Sequence, residues 1–280
     1  MVRHIIPKDL SEALKHLDEN TFRVIAGGTD LMIQKRSWAE TPPAFDQDML
    51  YILNLPELNH VNHTSDGLII GAMTPLEDLL DHPDVPKLLK EVMLEMAGPG
   101  LRYVATLAGN IGNASPAGDS LVPLYLMDAR IVLESLAGQR TLPIEAVITG
   151  PRQTVIRPNE LIRDIVIPHQ QFTHTRFIKV GTRKADAIAK VSFAGAALIE
   201  QGVTQDFRIA LGAVYQTVIR DRDIEDTVVG KTLSWLKTHK QDLLDAYEPL
   251  IQPIDDQRSN KIYRKHVALR MIGDFIDRLE

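Results

Sequence analysis

Residues 106–119 read TLAGNIGNASPAGD. The only charge in this stretch is Asp119, and the other positions are mostly Gly, Ala, Asn, Ser and Thr. The wider segment 97–119, AGPGLRYVATLAGNIGNASPAGD, contains no Lys and no Glu. A solvated linker would be rich in both. Small uncharged residues let a backbone come close to a neighbour. Thr106, Asn110 and Ser115 carry polar groups that can line a ligand. The alternative is an Ω-like surface loop packed on itself.

A second stretch of this kind lies upstream: Val24-Ile25-Ala26-Gly27-Gly28-Thr29-Asp30-Leu31. A strand that runs into two Gly residues and a Thr leaves backbone N–H groups uncovered, and such a nest suits a phosphate or pyrophosphate. A tight turn is the plainer reading, since Gly-Gly is common in turns. The pattern is neither the G-x-G-x-x-G of a Rossmann unit nor a Gly-Lys-Ser/Thr P-loop.

Around these loops the chain reads as mixed α and β. Asp9-x-x-Glu12 opens an amphipathic helix with Leu10, Ala13, Leu14 and Leu17 on one face. Residues 23–26, 51–55 and 68–70 are expected to be strands. Thr74-Pro75-Leu76-Glu77 predicts a helix start with Thr74 as cap, and residues 86–96 a second helix. Asp119 is the expected cap of a helix over 120–127. Residues 131–134 and 161–168 read as strands, and a boundary is expected in the polar stretch 169–173. Beyond it, 176–180, 188–199 and 207–214 have strand patterns, and 235–247 and 260–279 helical ones. The last helix should bury Ile262, Val267, Met271, Ile272, Phe275, Ile276 and Leu279.

Composition limits the chemistry. With 280 residues, two packed domains are expected. A formal charge of −6, from 31 Lys plus Arg against 37 Asp plus Glu, argues against nucleic-acid binding. Zero Cys excludes a disulfide scaffold, a thiol nucleophile and any Cys-held zinc or iron–sulfur site within this chain. No run approaches the roughly 20 apolar residues of a membrane span, so a soluble, cytoplasmic chain without an anchor is expected. The nine His show no H-x-x-x-H or H-E-x-x-H, and His60 and His63 read as solvated residues beside a turn. There is no G-x-S-x-G elbow. With no catalytic residue or metal site to name, an organic cofactor is expected to carry the chemistry.

At the two small-residue loops the sequence resembles the FAD-binding (medium) subunit of the molybdenum hydroxylases, the xanthine dehydrogenase and carbon monoxide dehydrogenase flavoproteins. The family's A-G-G-T/H-D/S-L is here Ala26-Gly27-Gly28-Thr29-Asp30-Leu31, and its T-x-G-G-N-I-x-N-A-S-P-x-x-D is the stretch from Thr106 to Asp119. Its F-x-K-x-x-x-R-x-x-x-D-I-A-K-V appears as FIKVGTRKADAIAKV, from Phe177 to Val191, and its S-x-x-x-Y-R pattern near the end as Ser259 with Tyr263-Arg264. The matches follow family order. Two positions depart: Ala108 stands where the family has the first Gly of its pair, and Ala187 where it usually has Asp.

The resemblance implies an α+β, two-domain flavoprotein: a p-cresol methylhydroxylase-type FAD domain over 1–170, then a CO dehydrogenase flavoprotein C-terminal domain over 171–280. It implies that Val24 through Leu31 give backbone to the FAD pyrophosphate. Thr106, Leu107, Ala108, Gly109 and Asn110 would form a second cradle, and Asp119 a polar contact. Met96, Ile162 and Lys179 would lie near the isoalloxazine, and Arg183, Asp186 and Lys190 in a loop past the flavin edge. Read without the resemblance, Lys179 is an exposed strand lysine. The implied role is electron transfer from [2Fe-2S] clusters of a small iron–sulfur subunit, through FAD, to an acceptor such as NAD. A large molybdopterin subunit would handle the substrate. A free-standing FAD-dependent oxidoreductase and a cofactor-free assembly or interaction module are the other readings.

Overall fold

The computed structural model describes residues 2–184 and 186–280; Ala185, within the third signature, and Met1 lie outside them. The chain forms two compact units, neither of them continuous in sequence. Met1–Val85, Gly98–Ala114 and Ala129–Pro168 make the first; Pro86–Ala97, Ser115–Asp128 and His169–Glu280 make the second.

The first unit holds two main sheets. In the smaller, His4–Ile5 and Arg23–Ile25 both pair in parallel with a central Met49–Tyr51. The Leu10–Glu19 helix buries Leu10, Ala13, Leu14 and Leu17 as its periodicity requires, and the Asp9 side chain accepts from Glu12 N at 2.8 Å. These residues share a core with Phe22, Leu50, Ile52, Leu55 and Leu58. The larger sheet is antiparallel, in the order Val61–Thr64, Gly67–Gly71, Leu161–Ile167, Arg130–Ser135, Gly138–Pro143.

Several local expectations are corrected here. The strand expected over 51–55 lies earlier, at Met49–Tyr51: after Tyr51 the chain turns, with Leu55 N bonded to Ile52 O, into a 3-10 helix at Pro56–Leu58. Thr74 does not cap the Leu76–Asp81 helix, because its hydroxyl is engaged with His60, donating to the carbonyl at 3.0 Å and accepting from the N–H at 3.2 Å. His60 is not a solvated turn residue either: its Nε2 lies 3.0 Å from Asp164 Oδ1, and His63 falls within the Val61–Thr64 strand.

The second unit is built on an antiparallel sheet of His174–Val180, Val191–Glu200 and Val203–Gly212, with Val191–Glu200 in the centre. The Lys261–Asp277 helix, capped by Asn260, packs on that strand. The run Ala194-Gly195-Ala196-Ala197 lets the helix come close: a Cβ at Gly195 would stand 2.8 Å from the Phe275 ring. Ile262 is 76% exposed, so the buried stripe starts one turn later than expected. The helix expected over 235–247 is two, Leu233–Thr238 and Lys240–Tyr247, joined at His239. Asp128, in a left-handed conformation (φ 54°), takes hydrogen bonds from Arg208, Arg220 and Arg222 at 2.6–2.7 Å.

Arg220 also reaches Glu225, which is 3% exposed and accepts from Ile209 N at 2.9 Å. Burial pushes the Glu225 carboxyl up to about 7, against the pull of Arg220 and the Ile209 N–H. Between about pH 4.5 and 7 the folded chain therefore holds a proton at this site that the unfolded chain has lost, so this contribution to stability falls as pH rises. Urea midpoints of wild type minus Glu225→Gln should decline from pH 5 to pH 7.5. A flat or rising difference would count against this titration.

Candidate functional site

The site residues expected from the sequence fall into two groups, one in each unit. In the first unit, Val24 and Ile25 end the Arg23–Ile25 strand. Ala26 through Asp30 form the turn, and Leu31 starts a short Leu31–Gln34 helix. Gly28 has φ +67°, a conformation that L side chains avoid. Gly27 is required for a different reason: a Cβ there would overlap the Val104 carbonyl. Among the described residues, the N–H groups of Gly28, Thr29 and Asp30 have no acceptor within this chain. They form an uncovered row of donors following a strand that buries only Ile25.

Residues 106–113 are no irregular loop. Leu107–Asn113 is a helix, capped by Thr106, whose Oγ1 accepts from Gly109 N at 3.0 Å. Gly109, Asn110, Gly112 and Asn113 are poor helix formers. The cap and the burial of Leu107, Ala108 and Ile111 hold the turn in place. The N–H groups of Leu107 and Ala108 have no intrahelical acceptor. Gly109 and Gly112 are on the exposed side, which is therefore bare backbone. The two segments adjoin: a Cβ at Gly109 would lie 3.8 Å from the Ala26 Cβ. Ile162, on the Leu161–Ile167 strand, faces the same helix, 3.9 Å from where a Gly112 Cβ would be. Ala108 sits in ordinary helical backbone and is not among the positive-φ residues, so the departure from Gly costs nothing in conformation. Thr106 and Ser115 each accept one hydrogen bond within the chain, the first from Gly109 N as the helix cap and the second from Ala117 N.

In the second unit, Lys179 and Asp119 form an ion pair of 2.7 Å, with side chains 7% and 8% exposed. Lys179 is thus not an exposed strand lysine. Its Nζ also donates to Glu95 O at 2.8 Å, beside Met96. Asp119 does not cap the Leu121–Leu126 helix: Ser120 stands at the cap position, and Asp119 turns its Oδ2 to Lys179. Its Oδ1 is buried with no partner among the described residues. Burial is the largest influence on this carboxyl and raises its pKa; Lys179 acts against the rise and Glu95 adds to it. Further along, Arg183 Nη2 donates to Asp186 O at 2.6 Å, and Lys190 Nζ lies 5.7 Å from the centre of the Tyr263 ring. Ala187 packs on Gly181, where a Cβ would stand 2.7 Å from its own. Arg264 of the last signature is structural: it is 3% exposed, bound to Asp256 at 2.6 Å and to Ala213 O.

Sequence reasoning missed Asn113 as a participant and missed Arg152 altogether. Arg152 Nη1 donates to Asn113 Oδ1 at 3.2 Å and lies 3.6 Å from Asp30 Oδ2. Pro151-Arg152 between two short runs signals a turn, but nothing local says where that turn docks.

The first group can bind an anionic, extended ligand through backbone donors. The second offers one buried acceptor, Asp119 Oδ1, to a ligand N–H or O–H. Among the described residues, no group of three or more His, Asp and Glu side chains is placed to hold a metal ion. Among the described residues, no helix is long and apolar enough to cross a membrane. In the first unit, a cradle that side chains would fill suits the diphosphate of a dinucleotide cofactor.

Comparison with known proteins agrees. The family described as the FAD binding domain in molybdopterin dehydrogenase matches residues 1–170, and the CO dehydrogenase flavoprotein C-terminal domain matches residues 176–279. The chain is 30% identical to the glyceraldehyde dehydrogenase medium chain of Sulfolobus acidocaldarius, over 95% of this chain and 93% of that one. It is 29% identical to the xanthine dehydrogenase FAD-binding subunit of Escherichia coli O157:H7, over 94% and 90% of the two chains. Among solved structures, a chain of the carbon monoxide dehydrogenase from Hydrogenophaga pseudoflava superposes with a TM-score of 0.88 at 26% identity, covering 99% of this chain and 96% of that one.

Proposed function

We propose a role that proceeds from one fact: the chain belongs to the FAD-binding medium subunits of the molybdenum hydroxylases, the xanthine and CO dehydrogenase type. In this role it takes electrons from [2Fe-2S] clusters of a small partner subunit and delivers them to an acceptor such as NAD, while a large molybdopterin subunit handles the substrate. The observation that carries the reading is the pairing, within the first unit, of an uncovered N–H turn at Gly28 to Asp30 with the Gly-faced Leu107–Asn113 helix. Bound FAD supplies the ability to exchange electrons singly and in pairs.

The chain's own residues bind and orient. Val24, Ile25, Ala26, Gly27, Gly28, Thr29, Asp30 and Leu31 would present backbone donors to the diphosphate. Thr106, Leu107, Ala108, Gly109 and Asn110 would present the helix start, and Ile162 an apolar wall. Asp119 would accept from a cofactor N–H or O–H, fixed in place by Lys179, with Met96 alongside. The zero Cys count fits a division of labour in which the clusters sit in other chains.

Purified protein should be yellow and should bring iron and molybdenum when isolated with its partners. FAD added at a hundredfold above its Kd should stabilise the fold by about 2.7 kcal/mol, read as a rise of several degrees in Tm. Melts that do not move with FAD would defeat the cofactor assignment. Flavin without iron or molybdenum would favour the free-standing oxidoreductase.

A further inference from the structure

Four side chains of the first unit close a ring. Gln34 Nε2 donates to Asn113 Oδ1 at 3.1 Å and to Asp30 Oδ2, while Arg152 Nη1 donates to the same Asn113 Oδ1 at 3.2 Å and lies 3.6 Å from Asp30 Oδ2. The ring ties three segments: the N–H turn with its short helix, the far end of the Leu107–Asn113 helix, and the tip of the hairpin formed by Ile148–Gly150 and Gln153–Thr154. Arg152 occupies that tip at φ +59°, a position that Gly or Asn fills at lower cost. Its N–H donates to Ala114 O at 2.8 Å, so the tip is fastened to the residue that ends the helix.

The charges give the ring a purpose. Asp30 is the only charged residue from Val24 to Leu31. It sits at the end of a row of N–H donors suited to an anion, and alone it would repel one. Arg152 is the cation that stands against it. We propose that Arg152 is a positioning residue for a diphosphate: it cancels the Asp30 charge and holds the N–H turn in register with the helix at 107–113. This rests on the FAD reading above.

The test is an FAD titration of the full chain, stripped of flavin and followed by flavin fluorescence. Wild type, Arg152→Gln, Asp30→Asn and the double variant are compared, with circular dichroism as the check on fold. Arg152→Gln is expected to raise Kd about tenfold, or about 1.4 kcal/mol. The double variant should recover most of that loss, because the charge Arg152 opposed is gone. The gap between wild type and Arg152→Gln should narrow at high salt. Asp30→Asn alone should bind FAD at least as tightly as wild type. An unchanged Kd in Arg152→Gln, or a double variant no better than Arg152→Gln, would reduce Arg152 to a hairpin support and overturn the proposal. Weaker binding by Asp30→Asn would make Asp30 a direct partner and overturn the charge argument, even if Arg152→Gln did not fold. A wild type that takes up no FAD removes the premise and the proposal together, and is told apart by occurring before any substitution.

Discussion

Lys179→Ala is expected to destabilise the chain by about 3–5 kcal/mol, the range for removing one partner of a buried ion pair. The pair is 2.7 Å long and almost wholly enclosed, so the loss is set less by the attraction forfeited than by the carboxylate left behind. Asp119 Oδ1 already lacks a partner among the described residues; without Lys179, Oδ2 lacks one too. Lys179 also holds the Glu95 carbonyl, and that bond is lost with it. Lys179→Met with Asp119→Leu should recover much of the stability, because no buried charge remains. Urea melts of the two variants test this: a double variant as unstable as Lys179→Ala would mean that packing, not charge, dominates.

The same pair bears on the proposed flavin site. A lone lysine beside a redox cofactor would raise its reduction potential by favouring the negative reduced form. Here the lysine is already matched by a carboxylate, and burial drives that carboxylate toward its protonated form. In the proposed site the pair is neutral as a whole, so Lys179 would not act on FAD as a lone cation. Asp119→Asn is the variant that leaves an unmatched cation.

The sequence and the structure part company in a consistent way. The helix at Leu10–Glu19, the strands at Gly67–Gly71 and Leu161–Ile167 and the last helix were legible because periodicity and caps are local. Helix 107–113 was not, because its Gly and Asn content speaks against a helix; the fold overrides that with a Thr106 cap and three buried side chains. Thr74 and Asp119 illustrate the other failure. Both have the right residue type before a helix, and both are drawn off by partners distant in sequence, His60 and Lys179. A cap signal cannot show that a long-range partner competes for the same oxygen. Family motifs named the candidate residues, but they did not say why each residue is there. Arg152 lies outside every motif and became visible only when the hairpin was seen docked on Ala114.

Gly27→Ala is expected to be far more damaging than Gly28→Ala, although the two positions are adjacent and share one motif. At Gly27 the added Cβ would coincide with the Val104 carbonyl, and the neighbouring Ala105 N is 3.1 Å away. A backbone group cannot rotate aside, so the turn and the 104–105 segment must separate. Overpacking of this kind costs about 1–3 kcal/mol or more. It also displaces Thr106, whose hydroxyl caps the Leu107–Asn113 helix. At Gly28 the steric demand is smaller: the nearest atom is the far end of the Ile25 side chain at 3.0 Å, and the main penalty is the +67° φ, about 1–2 kcal/mol for an L residue. Gly28→Ala should therefore stay folded with weakened FAD binding, and Gly28→Val, with a branched Cβ, should be folded and colourless. Gly27→Ala should lose urea resistance and flavin together. Flavin absorbance and far-UV circular dichroism on the three variants decide the matter. Equal damage at both positions would mean that the glycines serve the cofactor alike. The asymmetry would mean that Gly27 joins two pieces of backbone and Gly28 shapes the row of donors.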